Sequence, residues 1–239
     1  MKKIFGLIGN NLKYSFSKDY FEKKFIREDI TNSRYNNFQI NDIKELKKII
    51  RTNNISGLNV TMPFKIEVMS FMNNITKEAE EIGSVNTIKI KKNHLTGYNT
   101  DVIGFRRSII PILKNRKKAL ILGSGGSSRT VRHVLSKLKI EYNIVSRESS
   151  FDYSDIDTHV IDHHDIIINT TPLGMFPKEK ESPKIPYHLL SKKHLLYDLI
   201  YNPTKTRFLC QGELYGAEIK NGLEMLEIQA KESWKIWNL

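Results

Sequence analysis

The sequence predicts an α/β protein made of two open α/β domains with largely parallel sheets. Two observations predict it. Short apolar runs alternate with longer amphipathic segments through all 239 residues, as strands joined by crossover helices do. From Lys118 the order becomes strand, glycine turn, helix, strand: Ala119 to Leu122, Gly123-Ser124-Gly125-Gly126, Ser128 to Lys139, then Tyr142 to Val145. That order opens a nucleotide-binding βαβ unit.

Taken in order, Lys3 to Ile8 reads as a strand and Ser17 to Arg27 as a helix capped by Ser17. Tyr35 to Ile40 is a second strand, Ile43 to Arg51 a helix, and Ile55 to Val60 a strand with the β-branched content of a buried one. Pro63 suits a helix's first turn, so a short helix is expected from Phe64 with Lys65 in that turn. A helix from Thr76 to Ile82 follows, then a hairpin of Val85 to Ile90 and Leu95 to Tyr98 around Lys92-Asn93-His94. Beyond the βαβ opening, strands are expected at Ile166 to Asn169, Leu195 to Leu199 and Ala217 to Ile219, and a terminal helix from Leu223 to Trp237. Pro172 to Pro186 is proline-rich and reads as a loop long enough to cover a ligand.

Composition narrows the class. With 39% hydrophobic and 27% charged residues the chain reads as a soluble globular protein. The apolar run Ile4 to Ile8 is too short for a signal peptide, and no stretch approaches the roughly 20 apolar residues of a membrane span. Cys210 is the sole cysteine, which excludes an intramolecular disulfide and a cysteine-based metal site and fits a reducing cytoplasm. Its thiol is expected to be buried and inert, and no metal is expected. The net charge of +12 raises the question of nucleic acid. Lysine pairs such as Lys23-Lys24, Lys91-Lys92 and Lys192-Lys193 are scattered rather than gathered on one element, which argues against it. A positive field that attracts anionic ligands is the milder reading.

Polar residues concentrate where strands end. Gly57 to Lys65 ends an apolar strand in Asn59 and Thr61 and then places a lysine where the helix dipole disfavours a cation. A lone lysine is ordinarily solvated. Three further clusters accompany this one: Ser15 with Ser17, Gly83 to Thr87 including Asn86, and Gly97 to Asp101. Each alone suits capping and turns; together they describe the floor of a crevice for a polar ligand. The glycine turn, whose third glycine position holds Ser128, could hold a pyrophosphate on backbone amides at the helix N-terminus. At the end of the next strand Ser146-Arg147 favours the 2′-phosphate of NADP, whereas Glu148 keeps NAD open.

The chain resembles the shikimate/quinate dehydrogenase family. The matching motifs run in order through Gly6-Leu-Ile-Gly9, Ser15-x-Ser17, Asn59-Val-Thr-Met-Pro-Phe-Lys65, Val85-Asn-Thr87 and Asn99-Thr-Asp101-x-x-Gly104-Phe105. They continue through Gly123-x-Gly-Gly126, Asn169-Thr-Thr-Pro-Leu-Gly174-Met175, Tyr197-Asp198, Tyr201-Asn-Pro203, Asn221-Gly-Leu223 and Gln229-Ala230. The resemblance implies an N-terminal substrate domain, 1–101 with the terminal helix returning to it at 220–239, and a Rossmann-like NADP-binding domain at 102–219. It implies that Lys65 and Asp101 are catalytic, with Lys65 as proton donor, and that Ser15 and Ser17 bind the substrate carboxylate. Asn59, Thr61, Asn86, Tyr201 and Gln229 would complete the substrate pocket. Gly123, Ser124, Gly125, Gly126, Ser127, Ser146, Arg147, Leu199 and Gly222 would contact the cofactor.

The implied reaction is reduction of 3-dehydroshikimate to shikimate by NADPH in a cytoplasmic monomer or homodimer. Lys18 replaces the usual proline after the serine motif, and Phe151 stands where a second basic residue is common, which would weaken the grip on phosphate. The chain is also short, with the saving expected between Arg147 and Asp165. Two alternatives stay open: an NAD-using quinate or quinate/shikimate dehydrogenase, and a non-catalytic ligand-binding module. Lys65 and Asp101 count against the second, because binding alone needs no proton donor.

Overall fold

A computed structural model describes residues 2–13, 15–147 and 150–239, so Glu148 lies outside the described residues. The chain forms two compact units, residues 1–101 with 229–239 and residues 102–228. The return expected at residue 220 thus falls at Gln229.

In the first unit β1 (Lys3–Gly9), α1 (Phe16–Arg27), β2 (Ser33–Gln39), α2 (Leu46–Asn53) and β3 (Ile55–Val60) precede β4 (Asn74–Ile75), α3 (Lys77–Ile82), β5 (Thr87–Lys91) and β6 (His94–Tyr98). The strand order is β2-β1-β3-β5-β6-β4. β1 runs parallel to β2 and β3, whereas β5 lies antiparallel both to β3 and to its hairpin partner β6, so the sheet is mixed. Lys92 and Asn93 both take the left-handed conformation that a tight two-residue hairpin needs. Ile8, Leu58, Val60, Phe64, Val68 and Ile88 share one buried apolar cluster.

The structure of the first unit departs from two local expectations. α1 begins at Phe16, so Ser15 occupies the cap position and Ser17 lies buried inside the first turn. After β3 there is no α-helix at Phe64 but a turn, followed by a 3-10 segment at Glu67–Phe71. The reason is a long-range competitor: the carbonyl of Lys65 accepts from the Val85 amide at 2.8 Å, so an α-helical ladder cannot propagate through it.

In the second unit come α4 (Asp101–Ile109, whose first residue belongs to the first unit), β7 (Lys118–Leu122), α5 (Gly126–Lys137), β8 (Glu141–Val145), α6 (Thr158–Asp162) and β9 (Ile166–Asn169). β10 (Leu195–Asp198), α7 (Arg207–Leu214), β11 (Glu218–Lys220) and α8 (Leu223–Trp237) complete the chain. All five strands are parallel, in the order β11-β10-β9-β7-β8. Strand order reverses at β7, which opens a crevice beyond its carboxyl end. Among the described residues between β8 and β9, the only elements are a 3-10 turn at Tyr153–Asp155 and the five-residue α6. Cys210 is exposed rather than buried, because α7 turns Phe208, Leu209 and Gly212 inward and leaves position 210 on the outer face.

Two contacts fix the parts that carry polar strand ends. In the first unit, the face of α8 formed by Gln229, Ser233 and Trp237 packs on the sheet, one turn apart each time. Trp237 stacks on Phe5 at 4.9 Å between centroids and donates its indole N–H to the Ile88 carbonyl at 3.0 Å. A Cβ at Gly57 would collide with that indole, which explains a glycine inside this buried strand. In the second unit, the buried carboxylate of Asp198 gathers three donors at the end of β10. Its Oδ1 accepts from Asn169 Nδ2 at 3.1 Å and from the Ile200 amide at 3.0 Å, and its Oδ2 from Thr206 Oγ1 at 2.6 Å. Burial pushes its pKa up to about 6, against the pull of these donors.

Gly57→Ala should lower the unfolding free energy by about 1–3 kcal/mol through overpacking, read by urea denaturation together with a shift in tryptophan emission. For Asp198 the native state keeps a proton that the unfolded chain releases near pH 3.9, so stability contributed here is full below that pH and is lost as pH rises towards about 6. Asp198→Asn removes this component, and its denaturation midpoint should vary less between about pH 4 and about pH 7 than that of the wild type.

Candidate active site

Lys65 does not sit in solvent. Its side chain is 14% exposed, that of Asp101 is 9% exposed, and Nζ donates to Asp101 Oδ2 at 2.7 Å. Phe64 and Val68, both buried in the apolar cluster, pin the turn on either side, and the Val85 amide holds the Lys65 carbonyl. Asp101 opens α4, where the positive end of the helix dipole favours a carboxylate. One hydrogen of the ammonium is committed to Asp101, which leaves two donors and one carboxylate oxygen for a ligand.

Beside this pair runs a buried hydrogen-bond network in which nearly every donor has its own acceptor. Tyr35 Oη donates to Asn59 Oδ1 at 2.9 Å. Asn59 Nδ2 donates to Ser233 Oγ at 2.9 Å and to Thr87 Oγ1 at 3.1 Å. Thr87 passes its proton to Asn86 Oδ1 at 3.0 Å, and Asn86 Nδ2 donates to Thr100 Oγ1 at 3.0 Å. Thr100 Oγ1 donates to Gln229 Oε1 at 3.3 Å, its amide donates to Asn86 Oδ1 at 2.7 Å, and Ser233 Oγ closes onto the Gln229 carbonyl at 2.9 Å. Three expected site residues, Asn59, Asn86 and Gln229, therefore meet in one network. Asn59 spends both amide hydrogens inside the protein; Gln229 spends its oxygen and keeps its NH2 group. Thr87 and Thr100 lie in polar clusters that the sequence shows but does not assign to the site, and neither Tyr35 nor Ser233 stands out there, although the spacing of four between Ser233 and Gln229 on one helix could have revealed the latter.

At the start of α1 the Ser15 hydroxyl is buried and has no hydrogen-bond partner. A hydroxyl left so is costly unless a ligand satisfies it. Ser17 is buried in the first turn of α1, and burial drives the pKa of the Tyr35 hydroxyl on β2 well above that of a free phenol, so Tyr35 stays neutral. Thr61 is half-buried just past β3, its amide held by the Ile8 carbonyl at 3.0 Å.

The remaining expected residues belong to the second unit. Gly123 takes φ +108°, and a Cβ there would lie 2.8 Å from Thr170 Oγ1, so only glycine fits beneath the loop after β9. A Cβ at Gly125 would meet nothing within 4 Å, which leaves open space over the turn that feeds the N-terminus of the twelve-residue α5. Ser124 is exposed and Ser127 half-buried on the same turn. This cradle fits a pyrophosphate. Ser146 is buried at the end of β8 and Arg147 is exposed beside it, while Phe151 packs against an apolar cluster of this unit. Leu199 and Gly222 meet: a Cβ at Gly222 would collide with the Leu199 carbonyl, and the Gly222 amide donates to the Ile200 carbonyl at 3.0 Å. Tyr201 is half-buried two residues beyond Leu199. Among the described residues, no group of three or more His, Cys, Asp or Glu could hold a metal ion, and no helix is long and apolar enough to cross a membrane.

A family model described as the shikimate dehydrogenase substrate binding domain matches residues 7–88. A shikimate dehydrogenase (NADP(+)) of Methanococcus maripaludis is 36% identical, over 98% of this chain and 91% of its own length. One from Pelagibacter ubique is 37% identical over 100% of this chain and 94% of its own. The crystal structure of shikimate dehydrogenase 1 from Peptoclostridium difficile superposes with a TM-score of 0.90 at 37% identity, covering 99% of this chain and 91% of that one. Likeness of this extent covers both units, and on it the chain belongs to the shikimate dehydrogenase family.

Proposed function

We propose that this chain is a shikimate dehydrogenase that catalyses the reversible, NADPH-dependent reduction of 3-dehydroshikimate to shikimate, in the route to chorismate and the aromatic amino acids. It would do so in the cytoplasm, as a monomer or homodimer. The observation that carries the reading is the largely buried pair of Lys65 and Asp101 at 2.7 Å. A ligand-binding module has no need of a buried proton donor; a ketone undergoing reduction does.

The nicotinamide cofactor supplies the hydride. Gly123 to Ser127 would hold its pyrophosphate at the start of α5, Ser146 and Arg147 its 2′-phosphate, and Leu199 and Gly222 would line its path. Since Phe151 packs into apolar surroundings, the phosphate depends on Arg147 and Ser146.

On the substrate side, Lys65 Nζ is the cation against which negative charge develops on the carbonyl oxygen and the donor of the proton that neutralises it. Asp101 holds that ammonium in place and orients the substrate hydroxyl. The unpartnered Ser15 hydroxyl and Ser17 would bind the carboxylate. Thr61, Asn86, Tyr201 and the NH2 group of Gln229 would contact the ring hydroxyls, with Asn59 tying this set together.

Following nicotinamide absorbance with shikimate and NADP tests the reading, and absence of turnover by the wild type refutes it. Lys65→Ala should lower kcat by about 10²- to 10⁴-fold with little change in KM for shikimate, the pattern of a group acting in the transition state. Arg147→Ala should raise KM for NADPH about tenfold and leave KM for NADH nearly unchanged. An equal rise for both cofactors would remove Arg147 from the 2′-phosphate site.

A further inference from the structure

We propose that Thr100 is a positioning residue for substrate recognition: its hydroxyl turns the side-chain amide of Gln229 so that the NH2 group, and not the oxygen, meets the ligand. The inference rests on the activity proposed above.

Thr100 lies between β6 and α4, next to Asp101, and is 1% exposed. Asn86 Nδ2 donates to its Oγ1 at 3.0 Å; Asn86 Oδ1, Thr87 Oγ1 and Ser233 Oγ lie 3.1 Å from the same atom, and Gln229 Oε1 lies 3.3 Å from it. The hydroxyl has one hydrogen to place among these acceptors. The other donors decide where it goes. Asn86 Oδ1 already accepts from the Thr100 amide at 2.7 Å and from the Thr87 hydroxyl at 3.0 Å, which fills both of its lone pairs. Thr87 Oγ1 and Ser233 Oγ each take one hydrogen of Asn59 Nδ2, at 3.1 and 2.9 Å. Only Gln229 Oε1 has no other donor among the described residues, and a buried acceptor left without one is costly. The hydrogen of Thr100 therefore points to Gln229.

That bond decides which end of the Gln229 amide is left for a ligand. If the amide flipped, Nε2 would meet the Thr100 oxygen, which Asn86 Nδ2 already supplies with a hydrogen, and Oε1 would lose its donor. The helix beneath does not depend on the Thr100 hydroxyl. Ser233 Oγ donates to the Gln229 carbonyl at 2.9 Å and the Trp237 indole to the Ile88 carbonyl at 3.0 Å, so α8 is seated by other contacts and Thr100 acts on the side chain alone. Asn86 is arranged alike: its oxygen is filled by Thr87 and by the backbone amide of Thr100, and its second Nδ2 hydrogen is what remains. Both amides thus offer N–H groups only. Such a lining complements ring hydroxyls that accept through oxygen.

Comparing Thr100→Ser with Thr100→Ala tests this, since both remove the methyl group and only the second removes the hydroxyl. Thr100→Ala should raise KM for shikimate about five- to tenfold, with kcat within about twofold and KM for NADPH unchanged, as expected for one lost hydrogen bond that orients a ligand-binding group. Thr100→Ser should keep KM within about twofold of the wild type. The Thr100→Ala/Gln229→Ala double variant should rise no further than the larger single effect, because the hydroxyl acts through that amide. Deoxy analogues of shikimate, each lacking one of the two ring hydroxyls that are not oxidised, should divide the effect. For the analogue without the hydroxyl that Gln229 meets, the ratio of Thr100→Ala to wild-type KM should fall towards one; for the other it should stay as for shikimate. A purely structural role would lower the denaturation midpoint and raise KM for shikimate and both analogues alike. That result, equal effects of the serine and alanine variants, or additive single effects overturns the proposal. Absence of turnover by the wild type would instead refute the activity itself, and the proposal with it.

Discussion

The first unit depends on satisfying polar groups beneath its strand ends. Asn59, Asn86, Thr87, Thr100, Gln229 and Ser233 are all buried, and an unpaired amide or hydroxyl at any of these points would be costly. The bonds run in one direction from Tyr35 to Gln229, so each member fixes the orientation of the next. Such a network is cooperative. It joins β2, β3 and β5 to the last turns of the C-terminal helix, and Trp237 against Gly57 adds the apolar half of the same contact.

Lys65 draws on that rigidity. A cation largely removed from water is tolerable because a carboxylate lies 2.7 Å away, and useful because the pair still has hydrogens and an oxygen uncommitted. The backbone that carries it is not a helix but a turn clamped by Val85, with Phe64 and Val68 as apolar anchors. A side chain on a clamped turn is aimed more tightly than one on a free loop, which is what directing a proton at one oxygen requires.

The second unit uses a single buried carboxylate for a comparable purpose. Asp198 binds the end of β9 through Asn169, the start of α7 through Thr206 and its own following turn through Ile200. Thr170, next to Asn169, donates to the Leu122 carbonyl at 2.7 Å, immediately before the glycine turn. The loops at the carboxyl ends of β7, β9 and β10 are thereby held as a set, and the cradle opens at the point where strand order reverses.

Much of this was legible in the sequence. Ile55–Val60, Ile166–Asn169 and Leu223–Trp237 have the bounds that their apolar pattern indicates, and the glycine turn opens a helix as its context requires. Motif order named the family and the residues worth inspecting. Local pattern was a poor guide where distant partners intervene. The two-residue β4 exists only by pairing with β6, the expected helix at Phe64 is stopped by Val85, and α1 starts early enough to bury Ser17 instead of leaving it as a cap. The sequence by itself determined most strands and helices of both units and the residue types at the strand ends, because periodicity and turn chemistry act over a few residues. Tertiary structure alone decided that Lys65 meets Asp101 across 36 positions and that Asn59 meets Ser233 across 174, because those contacts follow from how whole elements pack.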